Sequence, residues 1–168
     1  MKKILGTLLA VLFSFMAIND SAAQNTVLRF NKDGKFKIVQ FTDVHFKYGN
    51  PASDVALERI GEVLDAEHPD LVIFTGDVVY SSPADKGMLQ VLGQVERRHL
   101  PFVVTFGNHD NEQGMTREQL YDIIRQVPGN LMPDRGSVLS PDYVLTVKAS
   151  SDAKKLSLIH ISEPTRRS

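Results

Sequence analysis

Residues 102–110 read Phe-Val-Val-Thr-Phe-Gly-Asn-His-Asp, and this stretch decides the fold prediction because it carries polar side chains directly off an apolar strand. The five residues from Phe102 to Phe106 are all β-branched or aromatic, which favours a strand that is too short to be a helix. Gly107 then allows the backbone to turn sharply. The turn presents an amide, an imidazole and a carboxylate in succession, groups that suit zinc, iron or manganese: Asn108, His109 and Asp110.

Two other predicted strands end in side chains of the same kind. Residues 37–42 run into Asp43 and His45, and residues 71–75 run into Gly76 and Asp77. A single Asn-His-Asp tripeptide is most simply interpreted as a polar turn, but three such strand ends favour a common site. In an open parallel α/β sheet, ligands bind beyond the carboxyl ends of the strands. These side chains are therefore expected to converge.

Three amphipathic helices are predicted between and after these strands. Ser53 is the predicted N-cap of the first helix, and Thr116 with Gln119 predicts a capping box at the start of the third. Since strand and helix alternate, the fold class is α/β, with mostly parallel strands and helices packed on the sheet. The apolar residues of each helix recur at helical spacing: Ala56, Leu57, Ile60, Val63 and Leu64; Met88, Leu89, Leu92 and Val95; Leu120, Ile123, Ile124 and Val127.

Further strands are predicted outside this alternating unit. Residues 27–30 and 36–42 are separated by a turn that contains Asp33 and Gly34, which predicts an antiparallel hairpin beside the first parallel strand. Residues 143–148 alternate in polarity as a half-buried strand does.

Composition and charge limit the functional classes. The chain has 168 residues, 42% of them hydrophobic and 23% charged, which suits one globular domain with its own core. A net charge of −1 provides no basic field for nucleic acid. Because the chain has no cysteine, disulfides and thiolate metal sites are excluded.

The two ends of the chain are predicted to stand outside the fold. Residues 1–23 combine two lysines, an apolar stretch and a small-residue end, as in a secretory signal peptide, which predicts an exported protein that is periplasmic or secreted after cleavage near Ala23. An uncleaved anchor is the alternative, although the apolar stretch is short for a membrane span. Residues 156–168 resemble the translation of a transposase-type sequencing adaptor and are left out of the fold. The domain is then expected to occupy residues 24–155.

The three strand ends together resemble a known family. Asp43-x-His45, Gly76-Asp77 and Gly107-Asn108-His109-Asp110, in this order, are similar to the first three signature blocks of the calcineurin-like metallophosphoesterases, over about residues 36–149. The likeness is closest to the purple-acid-phosphatase-like branch that keeps a histidine in the first block. It implies the N-terminal half of the family's αββα sandwich, because two further histidine blocks of the family pattern do not follow.

The resemblance implies a two-metal site with a role for each residue. Asp43 and His45 would hold the first metal ion, Asp77 would bridge both ions, and Asn108 would hold the second. His109 would be the catalytic residue, facing the phosphate without binding metal. Two iron, manganese or zinc ions would activate a water molecule that hydrolyses a phosphate mono- or diester. The expected substrate is a small phosphate ester or a phosphoprotein.

Two nearby residues are assigned on the same resemblance, with less definite roles. Asp110 either orients a metal ligand or caps the turn. Purple acid phosphatases proper have a tyrosine three residues after the aspartate of Gly-Asp and lack the first-block histidine. Since this sequence has both His45 and Tyr80, we expect Tyr80 to be a packed or pocket-rim aromatic and the protein not to be purple.

The missing histidine blocks predict that this chain is an inactive truncation. Asp43, His45, Asp77 and Asn108 give each of two ions too few protein ligands, and imidazole donors are the ones most needed. The alternative function is that of a non-catalytic α/β binding or interaction domain, which keeps polar strand ends without performing chemistry.

Overall fold

The computed structural model describes residues 26–133, 143–150 and 156–161. The predicted signal peptide lies outside the described residues. In the described part of the chain, no helix is both long and apolar enough to cross a membrane. The elements in chain order are β1 (Ile38–Phe41), α1 (Pro51–Glu67), β2 (Leu71–Thr75), α2 (Ala84–Glu96), β3 (Phe102–Thr105), α3 (Arg117–Ile124), β4 (Tyr143–Lys148) and β5 (Leu156–Ile161).

Strands β1, β2 and β3 form a parallel sheet in that order, which confirms the α/β prediction. Ile38 pairs with Leu71, and Val72 pairs with Phe102, so the three strands are in step along their lengths. All four residues of β3 and the first four of β2 are buried. A continuous apolar run is what a strand needs when both faces of its sheet are covered. Because the strands are parallel, their carboxyl ends lie at one edge.

The helices begin and end at sequence signals that differ in part from those predicted. Asn50, not Ser53, is the N-cap of α1, since its side chain accepts a hydrogen bond from the Ala52 amide and Pro51 follows it. Proline suits the first helical position because its missing N–H is not needed there. The Ser53 hydroxyl instead accepts a hydrogen bond from the Lys47 amide. The capping box of Thr116 with Gln119 at α3 is confirmed.

The core lies between the sheet and the helices. Its largest fully buried side chains come from every layer: Phe46, Phe74, Phe102, Leu64, Leu71, Met88, Leu92, Leu120 and Ile124. Helices α1 and α2 are also joined at their edge, where Arg98 donates two hydrogen bonds to Asp65, from Nε to Oδ1 at 2.6 Å and from Nη2 to Oδ2 at 2.7 Å. This bidentate pair fixes the separation of the two helix ends.

We predict that Asp65→Asn lowers the denaturation midpoint at pH 7 by a small amount that disappears in acid. The hydrogen bond from Arg98 lowers the pKa of Asp65 below 3.8 in the folded chain. The pair therefore stabilises the fold above that pH, and its contribution is lost as pH falls through the lower folded pKa. Urea titrations at several pH values measure the effect. Glu62→Gln, which breaks the exposed pair of Glu62 with Arg59, is the control and is expected to change nothing measurable.

The predicted hairpin before β1 is wrong in its pairing. The turn itself forms, since the Asn31 amide donates to the Lys35 carbonyl at 2.8 Å. The segment before it pairs with β4 instead: Arg29 bridges Lys148 in parallel, and the Phe30 amide donates to the Lys148 carbonyl at 3.0 Å. A turn signal fixes only the reversal of the chain, so the partner of the first segment depends on which strand edge is free.

The segment that the sequence analysis leaves out of the fold contains a strand. Residues 156–161 form β5, which pairs antiparallel with β4 from Tyr143↔Ile161 to Lys148↔Leu156. Ile161 is buried at 4% exposure, whereas Leu158 on the opposite face is 68% exposed. The Leu and Ile side chains of this segment favour a strand whatever their origin, and β4 provides an edge with which the segment can pair. The adaptor origin of residues 156–168 and the domain limit at residue 155 stay predictions.

Candidate metal centre

The segments that follow β1 and β2 stay hydrogen-bonded beyond the strands themselves. The Asp43 amide donates to the Gly76 carbonyl at 3.1 Å, and the His45 amide donates to the Asp77 carbonyl at 2.9 Å. Phe46 then continues this pattern with Val78 at 3.0 Å. The positions of Asp43 and His45 are therefore set by the backbone of the Asp77 segment.

The backbone is strained at these positions. Asp43, His45 and Asp77 have φ angles of 53°, 48° and 51°, in the left-handed region that side chains with a Cβ seldom adopt. Each such residue costs on the order of 1–3 kcal/mol and persists only where its surroundings enforce it, which is common at functional sites. These three residues lie on two adjoining segments, whereas His68 and His99, which also have positive φ, lie outside the strand ends.

Three side chains from the three strand ends form one cluster. His45, Asp77 and His109 each offer a ligand atom, and these atoms all lie within 4.8 Å of one another. The Nε2 atom of His45 lies 3.7 Å from Oδ2 of Asp77, and the centres of the His45 and His109 rings are 5.2 Å apart. The convergence that the strand-end pattern predicts thus holds for these three residues.

Asp77 lies at the centre of the cluster with one oxygen engaged. Its Oδ1 accepts a hydrogen bond from the His109 amide at 2.8 Å, while Oδ2 faces His45. Only 13% of the Asp77 side chain is exposed. The β3 segment approaches it closely, because a Cβ on Gly107 would stand 2.1 Å from Oδ1 and 2.5 Å from the Asp77 amide nitrogen. Only glycine fits at position 107.

Asp43 and Asn108 lie beside the cluster without being part of the three-residue group. Both residues are exposed. One carboxylate oxygen of Asp43 accepts a hydrogen bond from the Thr42 hydroxyl at 2.6 Å, and Asn108 adjoins His109 on the β3 segment. Their positions on the same loops are those that the sequence predicts, and their roles as metal ligands stay predictions.

Asp110 is a buried residue whose carboxylate hydrogen-bonds to the loops that follow β2 and β3. It is fully buried, and its oxygens accept hydrogen bonds from three backbone amides, Gly107 at 2.8 Å, Asp77 at 2.9 Å and Val79 at 3.0 Å. Burial raises the pKa of Asp110, and the three amide donors oppose that rise. The contact with Gly107 caps the turn after β3, while the other two hold the backbone on both sides of the Asp77 loop. The carboxylate thus positions a candidate ligand through its main chain.

His109 has a partner that the sequence analysis missed. Its Nδ1 atom lies 2.7 Å from Oε2 of Glu112, and this hydrogen bond raises the pKa of His109 above its ordinary value of 6.5. The signal that could have found it is the spacing of three residues within a turn, which brings side chains i and i+3 together.

Tyr80 packs against the other side of His109. The two rings meet edge to face, with centres 5.5 Å apart and planes at 84°. The Nζ atom of Lys47 lies 5.0 Å from the centre of the Tyr80 ring, at cation–π distance. Tyr80 is partly exposed here, and its role at a pocket rim stays a prediction.

The donor set of this site fits a transition metal. The imidazole of His45 and the carboxylate of Asp77 are groups that zinc, iron and manganese accept, and the His109 imidazole lies within 4.8 Å of both. The strained backbone and the buried Asp110 hold these donors in place rather than leaving them on a free surface.

Comparison with known proteins supplies independent findings. A family model described as calcineurin-like phosphoesterase matches residues 36–161. The chain is 34% identical over 122 residues to "Probable inactive purple acid phosphatase 14" of Arabidopsis thaliana, a match that covers 62% of this chain and 30% of that protein. It is 33% identical over 129 residues to "Phosphatase DCR2" of Saccharomyces cerevisiae, which covers 67% of this chain and 22% of that protein.

The chain spans less than a third of the length of either curated relative. Among solved structures, the nuclease MPE of Pseudomonas putida aligns with 50% of this chain and 44% of its own, at 25% identity and a TM-score of 0.37.

Proposed function

The chain belongs to the calcineurin-like phosphoesterase family, and on that premise we propose that its site serves two-metal hydrolysis of a phosphate mono- or diester. The observation that carries this proposal is the cluster of His45, Asp77 and His109, delivered by three different strand ends within 4.8 Å. The family match supports the reaction class, and the cluster supports metal at this edge of the sheet.

The roles proposed for the residues are those that the family resemblance implies. His45 and Asp43 would hold one ion, Asn108 would hold the other, and Asp77 would contribute to both. Iron, manganese or zinc ions bound here would lower the pKa of a water molecule and offset the charge that develops on the phosphate oxygens. His109 faces the ester, where its imidazole donates a hydrogen bond or a proton to an ester oxygen. Tyr80, with Lys47 5.0 Å from its ring centre, would flank the bound ester beside it.

We propose further that the 168-residue chain binds metal but turns over no ester by itself. Asp43, His45, Asp77 and Asn108 provide four side chains for two ions, and catalytic zinc sites use about three protein ligands for one ion. An assay of the chain with Mn²⁺ and an aryl phosphate mono- or diester is expected to match Mn²⁺ alone. Turnover that Asp77→Asn abolishes would contradict this expectation.

Metal and phosphate binding test the function without depending on turnover. We expect Mn²⁺ to bind the chain in calorimetric titration, and Asp77→Asn to weaken that binding at least about tenfold, since loss of outer-shell partners alone costs that much. Inorganic phosphate, a product of monoester hydrolysis, is expected to bind only when Mn²⁺ is present, as line broadening in ³¹P NMR. Asp33→Asn changes an exposed carboxylate in the turn after Phe30 and is the control.

Two results of these binding experiments would contradict the proposal. If Asp77→Asn leaves the Mn²⁺ affinity unchanged, the metal binds elsewhere. If the metal-loaded protein does not bind phosphate, the reason to assign ester hydrolysis is removed.

A non-catalytic binding or interaction domain is the second candidate. The plant relative carries the word inactive in its name, which favours this candidate, whereas the yeast relative is named a phosphatase. Absence of Mn²⁺ binding in the titration above would favour the non-catalytic alternative.

Export of the protein remains a proposal that rests on residues 1–23 alone, and its test is the N-terminal sequence of the protein recovered from a secreting host.

A further inference from the structure

The ring of His109 is oriented from several sides. Glu112 engages Nδ1 at 2.7 Å, Tyr80 meets the ring edge to face with centres 5.5 Å apart, and the His45 ring lies 5.2 Å away. Only the contact with Glu112 is a hydrogen bond to a ring nitrogen. It is therefore the contact that can select a tautomer of the neutral ring, because the aromatic contacts restrict only the rotation of the ring.

The local backbone places the Glu112 side chain beside the His109 ring. The Glu112 amide donates a hydrogen bond to the His109 carbonyl at 3.1 Å, so residues 109–112 form a turn. The turn brings the carboxylate of Glu112 back over the ring that precedes it by three residues. His109 is fixed at its own amide as well, which donates to Oδ1 of Asp77 at 2.8 Å. Glu112 and Asp77 thus engage the side chain and the main chain of the same residue.

The chemistry of the pair defines which ring nitrogen stays available. A carboxylate can only accept, so a hydrogen bond between Glu112 and Nδ1 requires the proton to be on Nδ1. The neutral ring then has its lone pair on Nε2. Which nitrogen of a histidine carries the proton is set by the hydrogen bond that the other nitrogen makes.

We propose that Glu112 is a positioning residue for His109: its hydrogen bond at Nδ1 fixes the Nδ1–H tautomer of the neutral ring and the ring orientation, so that Nε2 faces the phosphate ester and donates to it once the ring is protonated. This inference rests on the proposed function only for the identity of the ester. Glu112 itself touches neither substrate nor metal in this scheme, and it acts through His109.

The test is the tautomer of His109 in metal-free protein, read from the ¹⁵N shifts of the labelled imidazole at a pH where the ring is neutral. The wild-type ring is expected to be mainly the Nδ1–H form. Glu112→Ala is expected to return it mainly to the Nε2–H form that free imidazole side chains prefer. Glu112→Gln keeps an acceptor oxygen and is expected to preserve the wild-type tautomer. Glu58→Gln, an exposed change on α1, is the control.

A second readout separates this inference from the function on which it builds. In metal-loaded protein at a pH where the His109 ring is protonated, Glu112→Ala is expected to weaken phosphate binding several-fold, because the Nε2–H donor loses its orientation, while Mn²⁺ affinity stays within twofold of wild type. A ring that keeps the Nδ1–H form in Glu112→Ala overturns the inference. Failure of wild-type protein to bind phosphate contradicts the proposed function instead, and leaves the tautomer result unaffected.

Discussion

Asp110→Asn is expected to destabilise the protein by about 2–4 kcal/mol, because it removes a fully buried carboxylate that accepts three backbone hydrogen bonds. An asparagine in the same place has one acceptor oxygen. If that oxygen keeps the amides of Gly107 and Asp77, the side-chain NH₂ group faces the amide of Val79. Two donors then meet in the interior, and the Val79 N–H is left without an acceptor at a cost of about 1–3 kcal/mol.

The measurement is the free energy of unfolding from urea titration, followed by far-ultraviolet circular dichroism. The matched control is Asp33→Asn, the same chemical change at an exposed position, which is expected to stay within about 0.5 kcal/mol of wild type. Mn²⁺ affinity of Asp110→Asn is measured under native conditions as well. We expect it to fall, since the lost contact with Val79 holds the segment that follows Asp77. An Asp110→Asn protein as stable as the control would show that the Val79 amide finds another acceptor.

The sequence could predict which residues meet at the site because the rule involved is topological. Parallel strands place their carboxyl ends at one edge, which predicts that His45, Asp77 and His109 converge, as they do. Asp43 and Asn108, two of the predicted ligands, lie outside this three-residue group. The role of Asp110 could not be read in the same way. Its donors come from its own turn and from residues 31 and 33 positions earlier in the sequence, and no local pattern shows which amides will lack partners.

Local signals were reliable where only one reading was possible. Thr116 and Gln119 form the predicted capping box. At α1, two residues could serve as the cap, and Pro51 was the signal in favour of Asn50 over Ser53. The partner of residues 28–30 was predicted wrongly because a turn determines reversal, whereas pairing depends on a free strand edge such as that of Lys148.

The second large effect is expected at Gly107, where alanine should both destabilise the fold and disturb the site. A Cβ at this position would stand 2.1 Å from Oδ1 of Asp77 and 2.5 Å from its backbone nitrogen. Rotation of the Asp77 side chain can relieve the first contact, although it breaks the hydrogen bond from the His109 amide. The second contact is with backbone, so the two loops must separate. We expect a loss of about 2–4 kcal/mol in stability, at or above the usual range for overpacking, and at least about a tenfold loss in Mn²⁺ affinity.

Gly93→Ala is the matched control for Gly107→Ala, because a Cβ at Gly93 in α2 meets nothing within 4 Å. Alanine in a helix interior is favoured over glycine by about 0.5–1 kcal/mol, so this control is expected to stabilise the protein and to leave Mn²⁺ affinity unchanged. The two variants add the same methyl group with opposite expected signs, which separates close packing at the site from a general effect of glycine. If Gly107→Ala were as stable as wild type and bound Mn²⁺ equally well, the loops after β2 and β3 could not be as close as the contact with Asp77 requires, and the site would not depend on Gly107.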